Sequence, residues 1–140
     1  MLDLHVKQFL IQEAIASSKQ SYSPYSGFAV GAALLSKSGE VTRGANIENI
    51  SFGLSNCAER TAVYTALTSG LSDFKAIAIY SPSAQEHLQP CGACRQVLAE
   101  FTHPDFILLL ANKNGDFIEK TLQEIFPMSF SSLGNAKSSL

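Results

Sequence analysis

Charge is scarce in this chain of 140 residues: Asp, Glu, Lys and Arg make up 16% of it, against about a quarter in an average soluble domain. Neither sign dominates, since ten Lys and Arg against twelve Asp and Glu leave −2. Without a basic excess little is available to neutralise a phosphate backbone, which argues against a nucleic-acid partner. No stretch reaches the ~20 apolar residues that a bilayer span requires. Met1–Lys7 carries Asp3 and lacks the basic start and long apolar run of a secretion signal. These absences predict a cytoplasmic protein with no membrane partner. Internal repeats, linkers and low-complexity segments are missing too. The length fits one domain over 1–140, ending in a small polar tail, 134–140, that is expected to fray. Cysteines number only three. An odd count in a reducing compartment points away from disulfides and towards metal or thiol chemistry.

Apolar residues, by contrast, supply 46% of the chain. A small domain so poor in charge is expected to cover further area against copies of itself, because lasting interfaces are more apolar than ordinary surface. The sequence therefore predicts a homo-oligomer.

Leu2, Val6, Phe9, Leu10 and Ala14 recur at helical spacing, which predicts an amphipathic helix over Asp3–Ser18. The turn-rich Ser21-Tyr22-Ser23-Pro24-Tyr25-Ser26-Gly27 ends it. Phe28–Leu35 and Val41–Ile47 flank a short connection containing Gly39, the pattern of a hairpin. Ala58–Thr68, rich in Ala, reads as a helix opening at about Cys57 and closing at Gly70. Phe74–Tyr80 reads as a buried strand, and Pro90 introduces a helix over Cys91–Phe101. Phe106–Ala111 and Phe117–Glu119 flank Asn114-Gly115, a strong hairpin signal. Thr121-Leu-Gln-Glu124 has the spacing of a capping box for a last short helix. This order predicts an α/β fold in three layers, α/β/α, with helices on both faces of a five-stranded mixed sheet.

All three cysteines fall at helix starts: Cys57 opens the second helix, and Cys91 and Cys94 share the first turn of the third. Unpaired amide protons and the positive dipole end there favour thiolate over thiol. Cys91-Gly-Ala-Cys94 sets two sulfurs one turn apart, so both can face one ion. Three protein ligands with a fourth position left to water describe a catalytic zinc, whereas a structural zinc is closed by four. The cysteines alone also allow a closed site completed by His87 or His103, or a redox pair at Cys91 and Cys94 with Cys57 in the core.

Glu59 lies two residues after Cys57 in the same first turn. A carboxylate there can reach a molecule at the open position without being a ligand. Because zinc lowers the pKa of water towards neutrality, such a Glu can serve first as base and then as acid. Alone it would be read as helix-dipole stabilisation. Asn46 and Glu48, two apart on an extended segment, send their side chains from one face.

Cys57-Ala58-Glu59 followed by Pro90-Cys91-Gly92-Ala93-Cys94 resembles the zinc deaminase pattern. With Asn46-Ile47-Glu48-Asn49, Arg60-Thr61-Ala62 and Arg95-Gln96-Val97 added, the chain resembles the small homotetrameric cytidine deaminases from about Tyr22 to Phe130. The resemblance implies hydrolytic deamination of free cytidine and 2′-deoxycytidine in pyrimidine salvage, with one zinc per chain. It implies Cys57, Cys91 and Cys94 as zinc ligands and Glu59 as the proton shuttle. Asn46 and Glu48 become the ribose-binding pair and Phe28 a wall of the pyrimidine pocket. The resemblance implies that the backbones of Ala58 and Pro90, together with the Glu59 side chain, hold the base. Phe130 covers it from a neighbouring subunit, which makes the active sites of a tetramer composite. Arg60 is implied to bond to ligand sulfurs, offsetting the net −1 of three thiolates on Zn²⁺. At a helix N-terminus a merely exposed arginine is poorly placed.

Ile50 and Phe52 depart from the family pattern of a small residue and a tyrosine, so Phe52 has no hydroxyl to offer an adjacent subunit. Three other classes share parts of the pattern. A polynucleotide deaminase is opposed by the net charge and by Glu48 beside the sugar. Deaminases of nucleoside-like antibiotics lack the Asn-Ile-Glu-Asn block. A zinc-stabilised binding module is told apart by incubation with cytidine, which it would leave without the ultraviolet change to uridine.

Overall fold

A computed structural model describes residues 2–133. The first helix, α1 (Leu4–Ser18), starts where Asp3 accepts a hydrogen bond from the Val6 amide at 2.9 Å. Its buried stripe is Leu10, Ile11, Ala14, Ser17 and Ser18. Phe9, which its spacing placed on the same face, is 53% exposed. At 100° per residue it lies across the helix from the centre of that stripe.

Five strands form one sheet in the order β2-β1-β3-β4-β5. They are β1 (Gly31–Ser36), β2 (Val41–Ala45), β3 (Phe74–Tyr80), β4 (Ile107–Ala111) and β5 (Phe117–Thr121). Only the β3–β4 pair is parallel, which makes the sheet mixed as expected. Alternate residues serve its two faces. Ala33, Leu35, Ala76, Ala78 and Leu109 pack with α1. Ala32, Leu34, Ile77, Ile79 and Leu108 pack with α2 (Ala58–Thr68), α3 (Gly92–Phe101) and α4 (Leu122–Ile125). Three layers result. The capping box at Thr121 and Glu124 is formed in both directions. The expected polar tail, 134–140, lies outside the described residues.

The first strand begins three residues later than its apolar pattern suggests, at Gly31. Phe28 and Val30 pair instead with a side chain: Asn46 Nδ2 donates to the Phe28 carbonyl and Asn46 Oδ1 accepts from the Val30 amide, each at 2.8 Å. The Asn46 main-chain amide also donates to the Val30 carbonyl at 3.2 Å, and its side chain carries the ladder on to Phe28.

Gly44 fixes the height of α2. A Cβ at this position would overlap the backbone of Ala58 and Ala62, so helix and strand touch main chain to main chain. Ser17 of α1 also reaches Gly44, donating from Oγ to its carbonyl at 2.5 Å. The first turn of α2, which follows Cys57 and carries Glu59, is seated by this contact.

Candidate metal and active site

Cys57 and Cys91 are the N-cap residues of α2 and α3, both with extended backbone. Cys94 sits in the first turn of α3 and points its amide at Cys91 Sγ, 3.5 Å away. The sulfurs of Cys57 and Cys91 are 3.8 Å apart, and those of Cys91 and Cys94 3.5 Å. All three lie within 4.8 Å of one another. A tetrahedral zinc with Zn–S bonds of about 2.3 Å spaces its sulfurs by about 3.8 Å, so this donor set fits the ion. Among the described residues neither His87 nor His103 joins the group. That answers the alternative of a site closed by histidine. Cys57 is likewise part of the cluster, not a core residue beside a redox pair.

Three sulfurs this close resist carrying three negative charges unaided. The Cys57 thiol is lowered to about 5, first by the hydrogen bond from Cys94 and then by Arg60. The same contact with Cys57, together with burial, pushes Cys94 upward. A divalent cation relieves this competition by stabilising every sulfur as thiolate. Arg60 points Nη2 at Cys57 Sγ from 3.3 Å, and its own pKa is raised by that contact and by Cys94. Glu59 is 5% exposed. Burial pushes its carboxyl up to about 7, the negative charge of Cys57 adding to the effect. An acid that titrates near neutrality can hold and release a proton at working pH.

A second cluster surrounds the segment Asn46–Glu48. Ile47 bridges to Tyr22 on one side and Asn56 on the other. Asn46 and Glu48 both engage the Ser21–Val30 segment. Glu48 accepts from the amides of Tyr25 and Ser26 and from the Ser26 hydroxyl. Phe28 is held through its amide by Ser26 and through its carbonyl by Asn46. Ala58 and Pro90 are buried, next in sequence to Cys57 and Cys91. The Pro90 carbonyl already accepts from Arg95 Nε at 2.9 Å.

The Phe130 carbonyl accepts from Gln96 Nε2 of α3 at 2.8 Å. Its side chain is exposed, as are those of Ile50 and Phe52. Phe52 meets Tyr25 edge to face, with centroids 5.8 Å apart.

Ser21, Ser26, Arg95 and Gln96 hold these segments in place; the sequence marks Arg95 and Gln96 only as part of the family pattern and assigns a task to none of the four. Arg95 ties the Pro90 carbonyl to that of Ile125, to which Nη1 donates at 2.5 Å. Its position in the first turn of α3, where a cation is disfavoured, was a legible signal of such a task.

Known proteins place this arrangement. The family described as the cytidine and deoxycytidylate deaminase zinc-binding region matches residues 4–110. The chain belongs to this family of zinc-dependent hydrolytic deaminases. Cytidine deaminase of Halalkalibacterium halodurans is 51% identical over 124 residues, covering 89% of this chain and 93% of that protein. Cytidine deaminase of Sporosarcina psychrophila is 44% identical over 122 residues, covering 87% and 89%. The crystal structure of cytidine deaminase from Burkholderia pseudomallei has a TM-score of 0.85 at 41% identity, covering 92% of this chain and 100% of that one.

Proposed function

We propose that the chain deaminates free cytidine and 2′-deoxycytidine by hydrolysis, giving the uridine forms and ammonia. The observation that carries this reading is the buried Glu59 carboxyl in the first turn of the helix that Cys57 opens, beside the three-cysteine cluster. Cys57, Cys91 and Cys94 would hold one zinc ion. When bound, zinc supplies Lewis acidity that makes water a nucleophile at neutral pH. Glu59 takes a proton as water adds to C4 of the base and delivers it to N3, then takes the proton of the new 4-hydroxyl and passes it to the amino group, which leaves as ammonia as the C4 carbonyl forms. Ala58 and Pro90 present backbone groups to the base, and Phe28 forms a wall beside it. Asn46 and Glu48 take the sugar. Arg60 draws charge from the sulfurs.

Free nucleosides suit this site better than nucleotides. Glu48 would face a phosphate attached to the sugar, and Gly44–Asn56 contains no Lys or Arg to compensate. Like charges brought close repel, which disfavours a nucleotide against the free nucleoside.

The working form is proposed to be a cytoplasmic homotetramer in which Phe130 of one copy covers the base bound by another. Ile50, Phe52, Met128 and Phe130 are large apolar side chains left exposed, and such surface is normally covered by a partner. Three free thiols suit a reducing compartment. Among the described residues no helix is long and apolar enough to cross a membrane.

The test is incubation of zinc-loaded protein with cytidine while the ultraviolet absorbance is followed. Conversion to the uridine spectrum, lost together with zinc in Cys91→Ser and Cys94→Ser, is expected. Protein that holds zinc yet leaves cytidine unchanged would overturn the reading.

A further inference from the structure

Hydrogen-bond valence limits what Asn46 and Glu48 have left for a ligand. A carboxylate offers about four acceptor positions. Glu48 Oε1 takes the amide protons of Tyr25 and Ser26, each at 3.1 Å, and Oε2 takes the Ser26 hydroxyl at 2.5 Å. One acceptor position remains, on Oε2. A side-chain amide offers two acceptor positions and two protons. Asn46 Oδ1 takes the Val30 amide proton at 2.8 Å and the Ser21 hydroxyl at 2.5 Å, the shortest of the contacts open to that single proton, ahead of Ser23 Oγ at 2.9 Å and the Asn46 carbonyl at 3.3 Å. Nδ2 gives one proton to the Phe28 carbonyl at 2.8 Å. One proton remains. The amide cannot be turned over, because a flip would set NH₂ against the Val30 N–H and C=O against the Phe28 carbonyl.

We propose that Ser21 and Ser26 set the sugar specificity of the site by filling the spare valences of Asn46 and Glu48 until one donor and one acceptor remain, a pair that matches a single sugar hydroxyl. This rests on the proposed role of Asn46 and Glu48 in binding the sugar. A hydroxyl accepts and donates at once, and both side chains leave one face of the extended segment. One of the two ribose hydroxyls satisfies both, and the other finds no free group on either residue. Since 2′-deoxycytidine is a proposed substrate, the matched hydroxyl is the 3′. Ser26 also accepts from the Phe28 amide at 3.0 Å, so the same hydroxyl couples the sugar-binding carboxylate to the segment that presents Phe28. Ser21 and Ser26 are positioning residues in this scheme.

The experiment compares kcat/KM for cytidine, 2′-deoxycytidine and 3′-deoxycytidine in zinc-loaded wild type, Ser26→Ala, Ser26→Thr and Ser21→Ala. In wild type, loss of the 3′-hydroxyl costs about tenfold or more, the worth of one hydrogen bond to a charged group, and loss of the 2′-hydroxyl less than about threefold. Ser26→Ala frees a second acceptor on Glu48, and Ser21→Ala frees one on Asn46. Each brings the two deoxynucleosides closer together by about threefold or more, and Ser26→Thr restores the wild-type ratio. A purely structural effect would slow all three substrates alike. An unmoved ratio in the Ala variants therefore overturns the inference. Equal losses from the two hydroxyls in wild type overturn it without any variant having to fold. No turnover of cytidine at all would instead sink the proposed function, and this inference with it.

Discussion

Arg60 turns back along the first turn of α2 to set Nη2 3.3 Å from Cys57 Sγ. Its Nε is buried with no hydrogen-bond partner among the described residues. With zinc held by three thiolates the site would carry a net −1, which the guanidinium opposes. Arg60→Gln is expected to weaken zinc binding or activity by about 10–100-fold, the usual effect of losing a group that supports metal ligands. Competition with a chelator and kcat on cytidine measure the two. Wild-type values for both would show that the contact is incidental.

Glu59→Gln keeps the shape of a side chain whose environment already disfavours the carboxylate. Fold and zinc content should survive, while kcat falls by ~10²–10⁴, the range of a general acid–base group. A Gln variant that turns over cytidine at close to the wild-type rate would remove Glu59 from the mechanism.

Gly44→Ala places a methyl group against the backbone of Ala58 and Ala62, neither of which can rotate aside. Overpacking of this kind costs about 1–3 kcal/mol. Thermal unfolding should shift downward, and zinc should pass to a chelator more readily, because the strain falls on the turn that carries Cys57. An unchanged melting temperature would mean that α2 adjusts freely.

The Ser26 hydroxyl, ahead of the Ser26 and Tyr25 amides, holds the Glu48 carboxyl below its ordinary value of 4.5. A depressed pKa contributes above the ordinary value and is lost only as pH falls through the folded one. KM for cytidine should therefore be flat with respect to Glu48 from about pH 5 to 9. Ser26→Ala lets the pKa rise, so an acid limb in KM should move to higher pH. A profile identical to wild type would contradict the link.

Phe130→Ala and Glu59→Ala chains, each poorly active alone, should recover activity when mixed into common tetramers. Random assortment pairs an intact Glu59 with a neighbour's intact Phe130 in about a quarter of sites. Verified mixed tetramers without any recovery would count against a contribution from the neighbouring copy.

The cysteine cluster was legible because its ligands sit at helix caps, where chain direction and backbone geometry are set by a few adjacent residues. Cys57, Cys91 and Cys94 all occur where local signals start a helix. Phe9 was misplaced because five apolar positions fit more than one helical stripe, and only the sheet chooses between them. The work of Ser21 and Ser26 was hidden for another reason: their partners Asn46 and Glu48 lie over twenty residues away, and polar loops carry no periodicity. Asn46 was identified as a sugar ligand by resemblance, while its pairing with Phe28 and Val30 needed three dimensions.

At Gly44 helix and strand meet without a side chain between them. Where side chains act as spacers, mutation can lengthen or shorten them, and packed elements shift as core residues are exchanged. No such spacer lies beneath the turn that bears Cys57 and Glu59. Its height above the sheet is set by backbone radii, which mutation of neighbouring side chains does not alter. The surrounding core can drift while the reactive turn stays put, and the constraint is concentrated in one position with a single tolerated residue. What the glycine confers is insulation of the chemistry from the evolution of its scaffold.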